Sequence, residues 1–329
     1  MTDKVAKPRK LKSIPFGEQQ GKKPYNASEL VALADSRFLF CDNNVDDAFF
    51  ELRLGPDGTM AEPLVRRPIN GIEAGSIEDM EGIELATVAG RTFLFATSSL
   101  SLKRRKRNHK KKAKRGKLPA GREAILRIAI NEDEQLQAEV IPGFRSWLVE
   151  QVSELTKAAT YLPRDGGLNI EALSWDPNDQ ALLFGVRTPL MEGKPLVVRV
   201  RLKAFDGPWD LGNLEILPAV TLPIEADGPG REGLRAMTYD PSSGTTLLTV
   251  GNSTKGTKGR FELYSWDGKP EGSLRHFSQV RFDRRMRVEG VAHGTIAGRG
   301  AVVFVDDRGG YQVLWDDDPR LAVTDPVAW

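Results

Sequence analysis

The sequence contains a single cysteine, Cys41, so no disulfide can form within the chain. Its three histidines, His109, His276 and His293, together with one thiol do not make a Cys/His zinc site. No apolar run approaches the roughly 20 residues that span a bilayer. The N-terminal MTDKVAKPRKLKS is charged and lacks the apolar core of a secretory signal. These absences lead to the expectation of a soluble cytoplasmic protein without a membrane partner. There is no G-x-S-x-G elbow, which removes the common α/β-hydrolase chemistry. Gly251–Lys258 has the look of a phosphate loop but lacks Gly-Lys-Ser/Thr and leads into a strand, so it fails on context. Helix-length amphipathic segments are also scarce. One helix is predicted over Phe144–Lys157, and the apolar runs are otherwise separated by turns, which excludes a βαβ architecture.

What is present is repetition. IEALSWDP at 170–177 and LRAMTYDP at 234–241 are two copies of one phrase, each followed by an apolar run. Asp-Pro between two apolar runs marks a hairpin, because proline presets φ and the acid caps the turn. Shorter echoes are EGIEL at 81–85 and EGVAH at 289–293. The second strand of each copy is continuously apolar (FLFC, FLFA, ALLFGV, TLLTV, AVVFV), which calls for cover on both faces. The third alternates, as Val198, Val200 and Leu202 do against Arg199, Arg201 and Lys203, which predicts one solvated face. A covered inner strand and a half-solvated outer one are what a blade of a radial β-sheet repeat requires. The fold predicted is therefore all-β, a β-propeller of five blades with six as the alternative, carrying one inserted helix and a long basic loop. The domains expected are a basic arm over 1–24 and a single propeller over 25–329. A short strand near Leu11–Pro15 is a candidate to close the ring. Within the propeller, the basic loop at 103–122 is expected to be disordered and the helix at 144–157 inserted.

The leading glutamates Glu29, Glu81, Glu171, Glu232 and Glu289 lie 52, 90, 61 and 57 residues apart, and removing the loop and helix brings the long gap to the common spacing. Carboxylates opening successive inner strands would meet at one mouth of a central channel. There they must be protonated, paired with arginine or bound to a cation. A ligand set of Glu81, Glu171, Glu232, Glu289, Arg187, Arg235 and Asp306 follows from this reading. Its tentative metal-ligating counterpart is Glu29, Asp79, Glu81, Glu171 and Glu289, suited to Ca2+ by its oxygen donors. The structural alternative is that each glutamate caps backbone amides or pairs with an arginine. Arg235 stands where the copies carry glutamate, and Arg187 ends a second strand. Both are candidate clamps for a small anion. His293 is the candidate general base, with Arg187 and Arg235 beside it in the catalytic set, although no complete catalytic set appears. Lys103–Lys117 holds eleven Lys or Arg in fifteen positions. Lys103, Arg104, Arg105, Lys106, Arg107, Lys110, Lys111 and Lys112 are the candidate polyanion-binding residues. The loop offers no aromatic residue for base stacking.

The series GLNIEALSWDP…LLFGVRTPL, GREGLRAMTYDP…FELYSWDG and RVEGVAH…VVFVDDRGG resembles a bacterial family of soluble propellers of unassigned function. That family carries NIEGLAWDP, GIRDL…LYRWDG and EGI…DDG. Ser99-Leu100-Ser101-Leu102-Lys103 resembles its blade-two loop. The resemblance covers residues 25 to 316, and it is more distantly similar to the phytase-like esterase and SdiA-regulated propellers. It implies a β-propeller. The chain departs from the phytase-like pattern by having DMEG at Asp79–Gly82 without a dense aspartate array elsewhere. Three functions are expected from these residues: a binding module for a small anion or protein at the channel mouth, a calcium-assisted phosphoesterase or esterase, and a polyanion or nucleic-acid binder acting through the basic loop.

Overall fold

The computed structural model describes residues 10–17, 24–104, 116–131, 133–225, 232–252 and 260–329, leaving aside the side chains of Glu232 and Asn252. The chain is all-β in architecture, with short helices confined to connections. Five antiparallel meanders follow one another. Unit one comprises Ala27–Ala34, Arg37–Asp42, Ala48–Arg53 and Val65–Asn70. Unit two comprises Met80–Val88, Arg91–Ser98, Ile125–Ile130 and Leu136–Ile141. Unit three runs through Asn169–Asp176, Ala181–Met191, Lys194–Leu202 and Leu214–Thr221. Unit four has Glu232–Asp240, Thr245–Asn252, Glu262–Trp266 and Leu274–His276. Unit five has Val288–Ile296, Arg299–Asp306 and Gly310–Trp315. Units one and two fuse into one eight-stranded sheet, because their outermost strands pair in parallel (Leu136 with Ile69, Gln137 with Asn70).

The first strand of each meander is its innermost. Ala27–Ala34 packs against Met80–Val88 and Val288–Ile296, Met80–Val88 against Asn169–Asp176, that strand against Glu232–Asp240, and Glu232–Asp240 against Val288–Ile296. The sequence of neighbours closes on itself. Burial follows, since every residue of Asn169–Asp176 is buried. The inner strands approach so closely that a Cβ at Gly290 would lie 2.8 Å from the backbone of Glu29. Large rings fill the gaps between meanders. Trp175 of unit three stacks on Phe95 of unit two, with centroids 6.2 Å apart.

Both ends of the chain are tied into this arrangement. Ile14–Pro15 pairs antiparallel with Tyr311 and Gly310 as the outermost strand of unit five. Asp325–Pro326 adds a fifth strand to unit four beside Leu274–His276.

Two expectations need correcting. The predicted helix over Phe144–Lys157 is two pieces, Phe144–Gln151 and Ser153–Thr156, separated by Val152 in an extended conformation (φ −115°, ψ 98°). A β-branched residue followed by serine favours leaving the helix at that point, and the Val152 side chain stays in the core. The third strands are not half-solvated. Arg199 is buried against Asp176 and Asp179. Arg127 is buried under Glu139 and the carbonyls of Phe205 and Gly207. The in–out alternation instead belongs to the outermost strand Leu136–Ile141, and Leu214–Thr221 turns Glu215 and Pro218 to water, so the outermost strands flank the third strands and carry the water-facing side.

Candidate functional site

Each inner strand breaks register with its neighbour near its start, with a further irregularity at Ala32/Ala34 in unit one and at Asn169/Ile170 in unit three. The residues unpaired near the start are Glu29, Glu81, Glu171, Arg235 and Glu289. A β-bulge frees one residue from the ladder and re-aims its side chain. The five bulges stand at equivalent places in the five meanders, so the inner ring is built from four glutamates and one arginine. Glu232 is not the equivalent of the other leading glutamates. It opens its strand opposite Asn252, three residues before the bulge, and its side chain lies outside the described part.

The side chains divide into two groups. Glu29 and Glu84 are taken up by backbone. Innermost strands leave N–H groups facing the axis with no ladder partner, and a buried N–H needs an acceptor. Glu29 accepts from Met237 N (2.8 Å), Leu30 N (3.2 Å) and Val291 N (3.3 Å), bridging units one, four and five. Glu84 accepts from Tyr239 N (2.8 Å) and Leu85 N (2.9 Å), bridging units two and four. Burial pushes the carboxyl of Glu29 well above its usual range and that of Glu84 up to about 8, with the amides only partly offsetting it.

The second group forms a charged mouth. Arg235 Nη1 lies 2.7 Å from Glu171, and its Nη2 contacts Glu289. Glu171 also accepts from Asn169 Nδ2 (2.6 Å) and from Arg187. Glu81 accepts from the Ser28 hydroxyl at 2.9 Å and from Asn43 Nδ2 at 3.4 Å. Next to it, Asp79 accepts from the Ser99 hydroxyl and lies 2.9 Å from Arg122, which also donates to Ser101 at 2.6 Å. Burial raises the carboxyl of Glu81 well above normal, helped by the charges of Asp79, Glu171 and Glu289. Burial likewise lifts Glu289 to about 8, although Arg235 pulls the other way. Asp79 is raised by burial against the pull of Arg122 and Ser99. Burial opposes the charge on Arg235, but Glu171 and Glu289 outweigh it and hold the guanidinium above its ordinary value. Three guanidiniums face four acids, so one retained proton makes the cluster neutral. Arg187, with a side chain 21% exposed, opens the cluster to water.

Sequence reasoning did not find Arg122, Arg145 or Glu84. Arg145, at the start of the first helix, donates to the carbonyls of Leu100 (2.7 Å) and Ala159 (2.6 Å). It thereby pins the turn that presents Ser99 and Ser101 to Asp79 and Arg122. Its only sequence signal is an arginine on the apolar face of a short helix.

The other predicted residues stand apart from this mouth. Asp306 caps its own hairpin, accepting from Arg308 N at 2.8 Å, and burial raises its carboxyl. His293 lies four residues beyond Glu289 on the same strand, about 13 Å along it. It is held between Asp240 (3.0 Å from Nδ1) and Asp316 (3.0 Å from Nε2). Hydrogen bonding to Asp240 and Asp316, against a cost of burial, raises it to about 9. An imidazolium locked between two carboxylates is a structural ion cluster and not a free base, so the catalytic trio of His293, Arg187 and Arg235 is not assembled. Ca2+ needs six to eight oxygens, and the ring oxygens are already committed to amides and guanidiniums with Arg235 at their centre. Among the described residues, no group of three or more His, Cys, Asp or Glu is arranged to hold a metal ion. The ring does not fit calcium. Of the polyanion-binding candidates, Lys103 and Arg104 form a short exposed ribbon with Gly116–Lys117, and Lys103 reaches Glu78 at 3.1 Å. Arg105, Lys106, Arg107, Lys110, Lys111 and Lys112 lie outside the described residues.

No family model and no curated protein sequence matches the chain. Among solved structures it is similar to an α-L-arabinofuranosidase from Lactobacillus brevis, at 12% identity and a TM-score of 0.49, over 92% of this chain and 94% of that one. It is also similar to the Malassezia sympodialis allergen Mala s 1, at 12% identity and a TM-score of 0.45, over 89% and 93% of the two chains. A third likeness is to a Trichoderma reesei carbohydrate-active enzyme of family AA12, at 12% identity and a TM-score of 0.41, over 93% and 94%. No helix is long and apolar enough to cross a membrane among the described residues.

Proposed function

We propose that the five meanders are the blades of a five-bladed β-propeller and that the chain is a binding module for a small oxyanion at the channel mouth. The closed order of inner-strand neighbours supports the blade count. The site reading rests on the bulge ring, where Arg235 ties Glu171 and Glu289 together and leaves Arg187 and Arg122 on the rim. A carboxyl that keeps its proton near neutral pH acts as a hydrogen-bond donor, so Glu289, lifted to about 8 by burial, favours an incoming anion instead of repelling it. Arg187 holds the anion as a charge-assisted donor, taking it in place of one oxygen of Glu171.

The test is thermal unfolding with inorganic phosphate or citrate at constant ionic strength. Preferential binding to the folded chain raises Tm by mass action. The rise is expected in the unmodified chain and in a variant lacking Lys103–Lys117, and it should vanish in Arg187→Met. A rise that survives Arg187→Met, or one that disappears with the basic loop, would place the anion elsewhere.

A further inference from the structure

A second site lies away from the mouth, where unit one meets unit two. Leu33, Ala34 and Leu39 of unit one and Ile130 and Leu136 of unit two line a cavity of about 220 Å³. Its polar wall consists of Arg37, Arg67 and Glu134. Beneath them Glu51 is fully buried and accepts from Arg37 Nε (2.7 Å), Arg53 Nε (2.6 Å) and Arg67 Nε (2.9 Å). Three guanidiniums on one buried carboxylate are fixed in direction and carry charge that it cannot neutralise. Arg53 finds its second anion in Glu62 at 2.8 Å. Arg37 and Arg67 find theirs in Glu134, which Arg37 contacts through Nη1 (2.7 Å) and Nη2 (2.9 Å) and Arg67 through Nη2.

Glu134 comes from the turn between Ile125–Ile130 and Leu136–Ile141. It sits in the left-handed region (φ 60°) with its side chain 45% exposed. A half-buried pair of pre-aimed arginines is thus filled by a carboxylate on a surface turn that can swing into water without disturbing a strand. An apolar cavity adjoins that pair.

We propose that Arg37 and Arg67 form the head-group site for a small monocarboxylate with an apolar tail, and that Glu134 occupies it in cis when the ligand is absent. The planar fork of arginine matches a carboxylate in two parallel bonds. The tail would replace water against Leu33, Leu39, Ile130 and Leu136. The cavity equals roughly seven water volumes, which suits a short acyl or aryl acid and not a long-chain lipid. The alternative role for Glu134 is a staple between units one and two, with the cavity left empty.

Calorimetric titration of the full chain with phenylacetate, phenylacetamide and acetate separates the two. Glu134→Ala is expected to bind phenylacetate at least tenfold more tightly than the unmodified chain, because the internal competitor is gone. The amide and acetate should bind far more weakly. Adding Leu136→Phe fills the cavity without altering charge and should abolish binding. Adding Arg67→Met should do the same, with near-ultraviolet circular dichroism confirming that each variant is folded. No gain on Glu134→Ala, equal binding of acid and amide, or binding that survives Leu136→Phe would overturn the proposal.

Discussion

Arg235 carries more consequence than any other side chain of the inner ring. It is buried between Glu171 and Glu289, so replacing it with methionine leaves Glu289 without its guanidinium and Glu171 with Arg187 alone. Removing one partner of a buried ion cluster costs about 3–5 kcal/mol. Part of that cost can be relieved by protonation, since Glu289 already titrates at about 8. Urea unfolding of Arg235→Met should therefore show a larger loss at pH 8 than at pH 5, and equal losses would contradict the ion-cluster account. His293 gives a second residue-scale test at the other end of the same strand. Its imidazolium is favoured by Asp240 and Asp316, raising it from the ordinary 6.5 to about 9. The stabilisation is fully present below pH 6.5 and is lost as the pH rises through about 9. A proton shift of this size corresponds to at most a few kcal/mol, and the half-exposed Asp316 reduces it to about 2 kcal/mol. His293→Asn should lose that amount at pH 6 and almost nothing at pH 10, read from denaturation midpoints at each pH.

The elements show which features of the sequence were readable. The repeated phrases located four of the five inner strands, and the leading Glu29 pointed to the fifth; the continuous apolar runs marked the second strands, which are covered on both faces. The Glu–Gly echoes at 81–82 and 289–290 suggested that Glu232–Gly233 marks the same place in unit four. Aligning LRAMTYDP with IEALSWDP instead put Arg235 opposite Glu171, and the bulge falls at Arg235. A bulge depends on local pairing geometry that residue type does not encode, so only comparing copies could choose between the two. The outermost strands Val65–Asn70 and Leu136–Ile141 escaped notice, being short and rich in polar residues. Arg122 and Glu84 were hidden for another reason. Their partners are supplied by segments 43 and 155 residues away, and single-sequence periodicity carries no such information. The glycine after a bulge is a testable part of the same design. A Cβ at Gly290 would meet the backbone of Glu29, which cannot move aside as a flexible side chain would. Gly290→Ala should cost about 1–3 kcal/mol by overpacking, measured by urea unfolding. A neutral substitution would mean that the inner strands are less tightly apposed than their geometry indicates.

At the scale of the whole molecule, the N-terminal arm reinforces the closure made by the inner strands. Leu11 N donates to Arg281 O at 2.7 Å and Asp283 N to Leu11 O at 2.8 Å, so the arm crosses from unit four to unit five. Ile14–Pro15 then covers the outer edge of Gly310–Trp315. Phe16 follows, stacked on Phe40 of unit one (5.1 Å) and Tyr311 of unit five (5.7 Å), so that three aromatic rings clamp the first unit to the last. Truncating one such ring costs about 3–5 kcal/mol through lost burial and the cavity left behind, and Phe16→Ala is expected to fall in that range. Deleting residues 1–17 removes the ring and also the strand, which exposes the unpaired edge of Gly310–Trp315. A free, flat edge is a template for pairing with another chain. The deleted protein should therefore lose more stability than Phe16→Ala and should associate as its concentration rises, seen by size-exclusion chromatography with light scattering. Phe16→Ala, which keeps the strand in place, should remain monomeric under the same conditions. A truncated chain that is both monomeric and as stable as the full one would show that the inner strands close the molecule without the arm.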